Sequence, residues 1–318
     1  MKLTLVVSKK VALTDAITEF TLIAPAGKPE QLPAYTAGAH IDFDLGETIG
    51  TRSYSLIDWS APPAAPTHYT VAVQREDNGD GGSQRMHALN VGDEVTTTVP
   101  DNDFELHDSA APALLIAGGI GITPLISMAA ACRDQDRAFH IRYAGRSQSV
   151  MAYTDKLKSG FDGCLDVHAD DKNPLPLDTL FDNIAADTQI YLCGPSGLID
   201  AARTAATAAG VANEQIHVEL FATPQAQADD AAFEVELSGT GEVHVVPAGH
   251  SIIDVLEAAG HDLIYDCQRG DCGICQTTVI SGTPDHRDVV LSDQEKAAGN
   301  VMQICVSRAK SERLVLEL

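Results

Sequence analysis

Cys267, Cys272 and Cys275 follow one another as C-x4-C-x2-C, and a fourth cysteine, Cys305, stands alone further along the chain. Thiolate sulfur is the soft ligand that iron–sulfur clusters require, and this spacing is that of plant-type [2Fe–2S] ligation. The run Asp266-Cys267-Gln268-Arg269-Gly270-Asp271-Cys272-Gly273-Ile274-Cys275 carries two glycines, which let backbone fold tightly and bring N–H groups near the sulfurs. Zinc held by four thiolates is the alternative chemistry, but structural zinc generally draws on two close cysteine pairs. Here the last ligand has no neighbour. A [2Fe–2S] centre passes electrons one at a time, so the chain must also hold something that feeds it.

Two glycine-rich runs offer phosphate chemistry. Gly118-Gly119-Ile120-Gly121-Ile122-Thr123-Pro124 follows an apolar strand and opens a helix, whose first N–H groups and dipole favour an anion. It is not the G-x-G-x-x-G fingerprint, and a turn of this kind is either a nucleotide site or only a turn. Cys193-Gly194-Pro195-Ser196-Gly197 ends another strand; Cys193 is either a small buried apolar residue or part of a ligand site. Further upstream, Thr51-Arg52-Ser53-Tyr54-Ser55-Leu56 places Arg52 and Tyr54 on one strand face and Ser55 on the other. Arg52 is either a surface charge or a phosphate grip. Gly79-Asp80-Gly81-Gly82-Ser83 is either a hairpin loop or a cradle for the same phosphate. Phe221 is either core or an aromatic cover on a planar cofactor.

The elements that must position these residues change character along the chain. Residues 1–107 read as short strands between Gly/Pro/Asp turns (Leu3–Val7, Ala39–Leu45, Tyr69–Arg75, Glu94–Val99), which suggests a small antiparallel β-barrel. Residues 108–222 alternate apolar strands with helical stretches, beginning with the continuously apolar Ala113–Ala117. That pattern predicts an α/β doubly wound parallel sheet, where ligands bind at the carboxyl ends of strands. Both glycine runs sit at such ends. Residues 223–231 are small, polar and Pro-containing, as an interdomain linker is. Residues 232–318 hold a hairpin (Phe233–Leu237, Val243–Val246), a helix (Ser251–Ala259), the cysteine loop and a last strand (Leu314–Leu318), an α+β module.

The 318 residues carry 45 acidic against 21 basic side chains, a net charge of −24. That balance argues against nucleic acid and against anionic lipid. It suits either steering toward a basic protein partner or plain solubility. Cys132, Cys164 and Cys193 are scattered and read as reduced thiols. Met1 to Val7 alternates like a strand and lacks a small-residue cleavage site, and no apolar run has membrane-spanning length, so a cytoplasmic protein is expected.

Taken in order, these motifs resemble the phthalate dioxygenase reductase family, which includes vanillate O-demethylase reductases. The R-x-Y-S flavin motif reads Arg52-Ser53-Tyr54-Ser55, and the flavin-facing strand reads Ala72-Val73-Gln74-Arg75. The two glycine runs take the nicotinamide positions, H-x-E-x-F reads His217-Val218-Glu219-Leu220-Phe221, and a plant-type ferredoxin comes last. The resemblance implies FMN in a six-stranded barrel, NADH on the second domain and [2Fe–2S] on Cys267, Cys272, Cys275 and Cys305. Electrons would pass from NADH to FMN to the cluster and on to a terminal Rieske-type oxygenase, in a monomeric enzyme. Arg52 and Gly81-Gly82-Ser83 would hold the FMN phosphate, with Tyr54, Ser55, Ala72, Val73 and Gln74 lining the ring and Ser53 among the cofactor-binding residues. Gly118, Gly119, Gly121, Thr123, Pro124, Cys193, Gly194, Pro195 and Phe221 would serve the nicotinamide, and Arg146 and Ser147 the adenosine half. Ser55, Cys193 and Phe221 would act closest to the reacting atoms.

One departure stands out. The family commonly shows G-R-G-G-S where this chain has Gly79-Asp80-Gly81-Gly82-Ser83, and an acid beside a phosphate repels it unless it turns away. FAD therefore remains an alternative, although the ferredoxin-last order goes with FMN. The Asp170-Asp171 pair would disfavour a 2′-phosphate if it lies near Arg146. Reductases for di-iron or cytochrome P450 oxygenases, many of which place the ferredoxin first, and a redox carrier without NADH turnover are the rival readings.

Overall fold

In the computed structural model, which describes residues 1–221, 227 and 229–318, the chain divides into two units, Met1–Glu219 and Leu220–Leu318. The first hundred residues form six antiparallel strands: β1 (Lys2–Ala12), β2 (Ile17–Ile23), β3 (His40–Asp44), β4 (Thr51–Ser55), β5 (His68–Gln74) and β6 (Glu94–Thr98). They are ordered β4-β3-β6-β1-β2-β5, and just past β4 the Ile57 N–H donates to the Thr70 carbonyl of β5 at 2.8 Å. The two ends of the sheet thus meet as a barrel. Alternate residues of each strand point inward: Phe20 and Leu22, Ile41 and Phe43, Val71 and Val73 are buried together. A short helix, α1 (Gly82–His87), lies where the sequence reads only as loop. It delivers Met86, with Leu89 just beyond, to the barrel core.

The rest of the first unit is the expected parallel sheet. Its elements are β7 (Ala113–Gly118), α2 (Ile122–Asp134), β8 (Phe139–Gly145), α3 (Thr154–Gly160), β9 (Leu165–Ala169), β10 (Gln189–Cys193), α4 (Ser196–Ala208) and β11 (Ile216–Glu219). Strand order is β11-β10-β7-β8-β9, parallel throughout. Winding therefore reverses between β7 and β10, whose ends carry the two glycine runs.

Every residue of α2 from Ile122 to Cys132 is buried, unlike a surface helix with one apolar stripe. One core cluster explains this. Leu125, Ile126, Met128 and Ala129 of α2 pack with sheet residues Leu115, Ile141 and Tyr191, and also with Ile17, Ala37, Ile57 and Ala72 of the barrel segment. Ser127, the one hydroxyl of α2 aimed at the barrel segment, donates to the Leu56 carbonyl at 2.8 Å and accepts from the Asp58 N–H at 2.9 Å.

The second unit has a five-stranded sheet ordered β13-β12-β18-β14-β16 and a two-stranded β15–β17. Its elements are β12 (Phe233–Leu237), β13 (Val243–Val246), α5 (Ile252–Ala258), β14 (Gln276–Ser281), β15 (Pro284–Asp285), α6 (Asp293–Ala298), β16 (Val301–Gln303), β17 (Arg308–Ala309) and β18 (Arg313–Leu316). Ser251 with Asp254, and Ser292 with Glu295, form reciprocal caps that begin α5 and α6. Most of the expected linker, 223–226 and 228, lies outside the described residues. At its far end Asp230 is gripped by Arg287, whose Nη1 lies 3.0 Å from its carboxylate. The Arg287 hydrogen bonds hold the Asp230 carboxyl down at about 2. Among the described residues no helix is long and apolar enough to cross a membrane.

Replacing Ser127 by Ala strands one buried carbonyl and one part-buried N–H, at a cost of about 2 kcal/mol. Trp59 is the single tryptophan and lies in the first unit. Its fluorescence during urea unfolding should show an earlier midpoint in Ser127→Ala, with the slope unchanged.

Candidate functional site

On β4, Thr51 and Ser53 are exposed, Arg52 and Tyr54 half-buried, and Ser55 buried. Pairing with β3 sets this alternation, with Arg52 opposite Phe43 and Ser55 opposite His40. Ser53 donates to the Asp42 carboxylate at 2.6 Å, away from Arg52. Burial pushes the Tyr54 hydroxyl up to about 12. The Ser55 Oγ is buried and has no hydrogen-bond partner among the described residues. Unmade hydrogen bonds inside a protein are costly, so an orphaned hydroxyl here points to a ligand that completes it.

Arg52 and the glycine turn come together. A Cβ on Gly82 would lie 2.8 Å from Arg52 Cγ and 2.9 Å from its Nε, so only glycine lets the arginine lie against the start of α1. Ser83 accepts from the Glu76 N–H at 2.9 Å, which fixes the turn to the end of β5. Asp80 turns neither away nor fully in: its carboxylate is 3.7 Å from Arg52 Nη2 while 92% of the side chain is exposed. On β5, period two separates the expected ring-lining residues. Ala72 belongs to the core shared with α2 and Gln74 is half-buried on the same face, whereas the Val73 side chain points into the barrel core.

At the switch point the two glycine runs touch. A Cβ on Gly118 would meet Pro195 Cδ and Leu198 Cδ2 at 2.7 Å, and one on Gly194 would meet Gly118 Cα at 2.8 Å. A Cβ on Gly121 would fall inside van der Waals contact of the Cys193 carbonyl. The loops pack backbone on backbone, beneath the N-terminus of α2. Thr123 and Pro124 are buried in its first turn, and Thr123 Oγ1 donates to the Ile120 carbonyl at 3.0 Å. Cys193 is buried, and its Sγ lies 3.8 Å from the equally buried Glu219 carboxylate. That contact follows from the register of β10 on β11, which sets Cys193 beside Glu219.

Beyond β8, Arg146 is exposed, and Ser147 Oγ lies 3.0 Å from Ser149 Oγ. The Asp170 N–H donates to the Gly145 carbonyl at 2.9 Å, so the Asp170-Asp171 pair does border the residue before Arg146. Phe221 is the second residue of the second unit and is 45% exposed.

In the second unit the four cysteine sulfurs form one group. Cys267 is driven well below the ordinary thiol range by hydrogen bonds from Cys272 and Cys305, and Cys275 is lowered by Cys305. Gln268, Gly270 and Gly273 all take positive φ, so the loop curls around the sulfurs. The Arg269 N–H donates to Cys267 Sγ at 3.3 Å. Asp271 accepts from the Leu220 N–H at 2.8 Å, and burial pushes its carboxyl up to about 7.

Comparison with known proteins agrees with this geometry. Residues 235–310 match the model of the 2Fe–2S iron–sulfur cluster binding domain, a span that contains all four cysteines. Residues 96–216 match that of the N-terminal domain of dimethylamine monooxygenase subunit DmmA-like proteins. Vanillate O-demethylase oxidoreductase of Acinetobacter baylyi is 36% identical over 98% of this chain and 98% of its own. A solved phthalate dioxygenase reductase, described as a modular structure for electron transfer from pyridine nucleotides to [2Fe–2S], is 34% identical with a TM-score of 0.70. It is matched over 100% of this chain and 98% of that one. An intact type IV self-sufficient cytochrome P450 monooxygenase is 35% identical with a TM-score of 0.75, and this chain spans 41% of its length.

Gly121→Ala should force the two loops apart and lower the unfolding midpoint of the first unit, at about 1–3 kcal/mol. Gly197 in α4 has open space around it, so Gly197→Ala should be neutral or slightly stabilising. Trp59 fluorescence separates the two outcomes.

Proposed function

The chain belongs to the phthalate dioxygenase reductase family, and from that premise we propose that it is the NADH-dependent reductase of a two-component oxygenase system, with FMN in its first unit and [2Fe–2S] in its second. The reading is carried by the convergence of four cysteine sulfurs in one unit, in a chain whose other unit brings an arginine–glycine cradle and two touching glycine loops to one architecture. When bound, the flavin turns the paired electrons of a nicotinamide hydride into single electrons that an iron–sulfur centre accepts.

The chain's own residues bind, orient and exclude water. Arg52 and the space kept open by Gly82 suit a phosphate monoester, with guanidinium N–H groups as donors. Ser55 Oγ, buried and unpartnered, offers its hydrogen bond to a ring heteroatom. Ala72 and Gln74 share the face that meets the ring, while Val73 contributes only backbone there. The loops Gly118–Pro124 and Cys193–Pro195 take the pyrophosphate and nicotinamide at the switch point. Cys193 and Thr123, both buried, keep water from that contact. The Asp170 N–H donates to the Gly145 carbonyl, next to Arg146, so an acidic pair borders the expected adenosine end, which supports the NADH reading. Cys267, Cys272, Cys275 and Cys305 ligate the cluster.

The acceptor is taken to be a terminal Rieske-type oxygenase. A second reading, a cytochrome P450 acceptor, is favoured by the self-sufficient P450 chain that contains a segment similar to this whole chain. Domain order therefore does not separate the two acceptors.

Two measurements test the arrangement. Cys305→Ser should abolish NADH-driven reduction of cytochrome c while sparing reduction of ferricyanide; loss of both activities contradicts the order of centres. Asp80 competes with phosphate for Arg52, so Asp80→Asn should tighten FMN binding about three- to tenfold at low salt. Fluorescence titration of the flavin-free protein reads this, and the gain should shrink at high salt.

A further inference from the structure

Outside the cysteine loop, the second unit gathers three other ligating side chains. His261 Nε2 lies 3.3 Å from His244 Nε2 and 3.4 Å from Glu242 Oε2, and His244 Nε2 lies 3.8 Å from the same oxygen. We propose that Glu242, His244 and His261 form a site for one divalent transition ion, with Zn2+ as its occupant, separate from the iron–sulfur ligands and independent of the oxygenase reading.

The spacing supports this. Donors bound at about 2.0–2.1 Å around a tetrahedral zinc stand about 3.3 Å from one another; two of the three separations already match this, and the third, His244 to Glu242 at 3.8 Å, closes with a small turn of the exposed carboxylate. Two imidazole nitrogens and a carboxylate are a set that zinc accepts, leaving the fourth position to water.

Backbone geometry, rather than flexible side chains alone, sets the three positions. Glu242 ends a hairpin turn in which Leu237 N–H donates to its carbonyl at 2.9 Å and Gly241 N–H to that of Leu237 at 2.8 Å. His244 lies two residues on along β13, so both side chains share a strand face, and it sits opposite Val235 of β12. His261 follows α5, where its own N–H donates to the Leu256 carbonyl at 3.0 Å. An ion would therefore pin the β12–β13 hairpin to the end of α5. From His261 the chain runs without helix or strand to Asp266, and Cys267 follows. The ion would anchor the near end of that segment.

The test is calorimetric titration of the full chain, flavin and cluster loaded, with zinc chloride. Wild type should bind one ion per chain with a dissociation constant in the micromolar range or tighter. His244→Gln and His261→Gln should each weaken binding at least about 100-fold, while Glu242→Gln, on an exposed turn, should weaken it about tenfold without risk to the fold. His250→Gln, an exposed histidine elsewhere in the unit, should leave binding unchanged. Unaltered visible absorption of the cluster confirms that each variant is folded. Absence of binding by wild type below millimolar zinc, or equal binding by wild type and the His244, His261 and Glu242 variants, overturns the proposal.

Discussion

The buried hydroxyl of Ser127 holds the first unit to one geometry. It satisfies a carbonyl and an N–H immediately beyond β4, from the middle of a helix that starts in the Gly118–Thr123 loop. Sheet strands and barrel strands each have their own ladders, but those ladders say nothing about how the barrel meets the sheet. Ser127, with the apolar side chains around it, decides that. The end of the strand bearing Arg52, Tyr54 and Ser55 is thereby fixed to the helix whose first turn carries Thr123. A hydride must pass between rings in contact, so a slip at this seam would matter more than one anywhere else in the unit.

Glycine performs the complementary task. At Gly82, Gly118, Gly121 and Gly194 the missing side chain is the point, since each added Cβ would strike an arginine stem or a facing backbone. The two loops at the switch point are separated by 68 residues of sequence, 125–192, and both end strands of the same sheet. Their contact leaves no room for a side chain at Gly118, Gly121 or Gly194.

What the residues reveal before folding follows a physical rule. The cysteine set is legible because sulfur chemistry restricts residue type throughout and spacing within the loop that holds Cys267, Cys272 and Cys275. The parallel sheet is legible because β7 must be apolar at every position. Strand β2, with Glu19 and paired threonines breaking its apolar look, is not, although Phe20 and Leu22 fill the barrel. Helix α1 is invisible for a different reason: it is under two turns long, held by the burial of Met86 rather than by local propensity. The split of Ala72 from Val73 follows from the strand period alone, whereas the contact of Cys193 with Glu219 and the convergence of Glu242 and His244 with His261 depend on register or tertiary placement. No window along the chain contains them.

The core shared through α2 also bears on how the chain can be dissected. Because Ile17, Ile57 and Ala72 pack in the same cluster as Leu125 and Met128, a cut near residue 107 would bare apolar surface on both pieces. Met1–Glu219 is one compact unit, and a fragment that keeps it whole keeps that core closed.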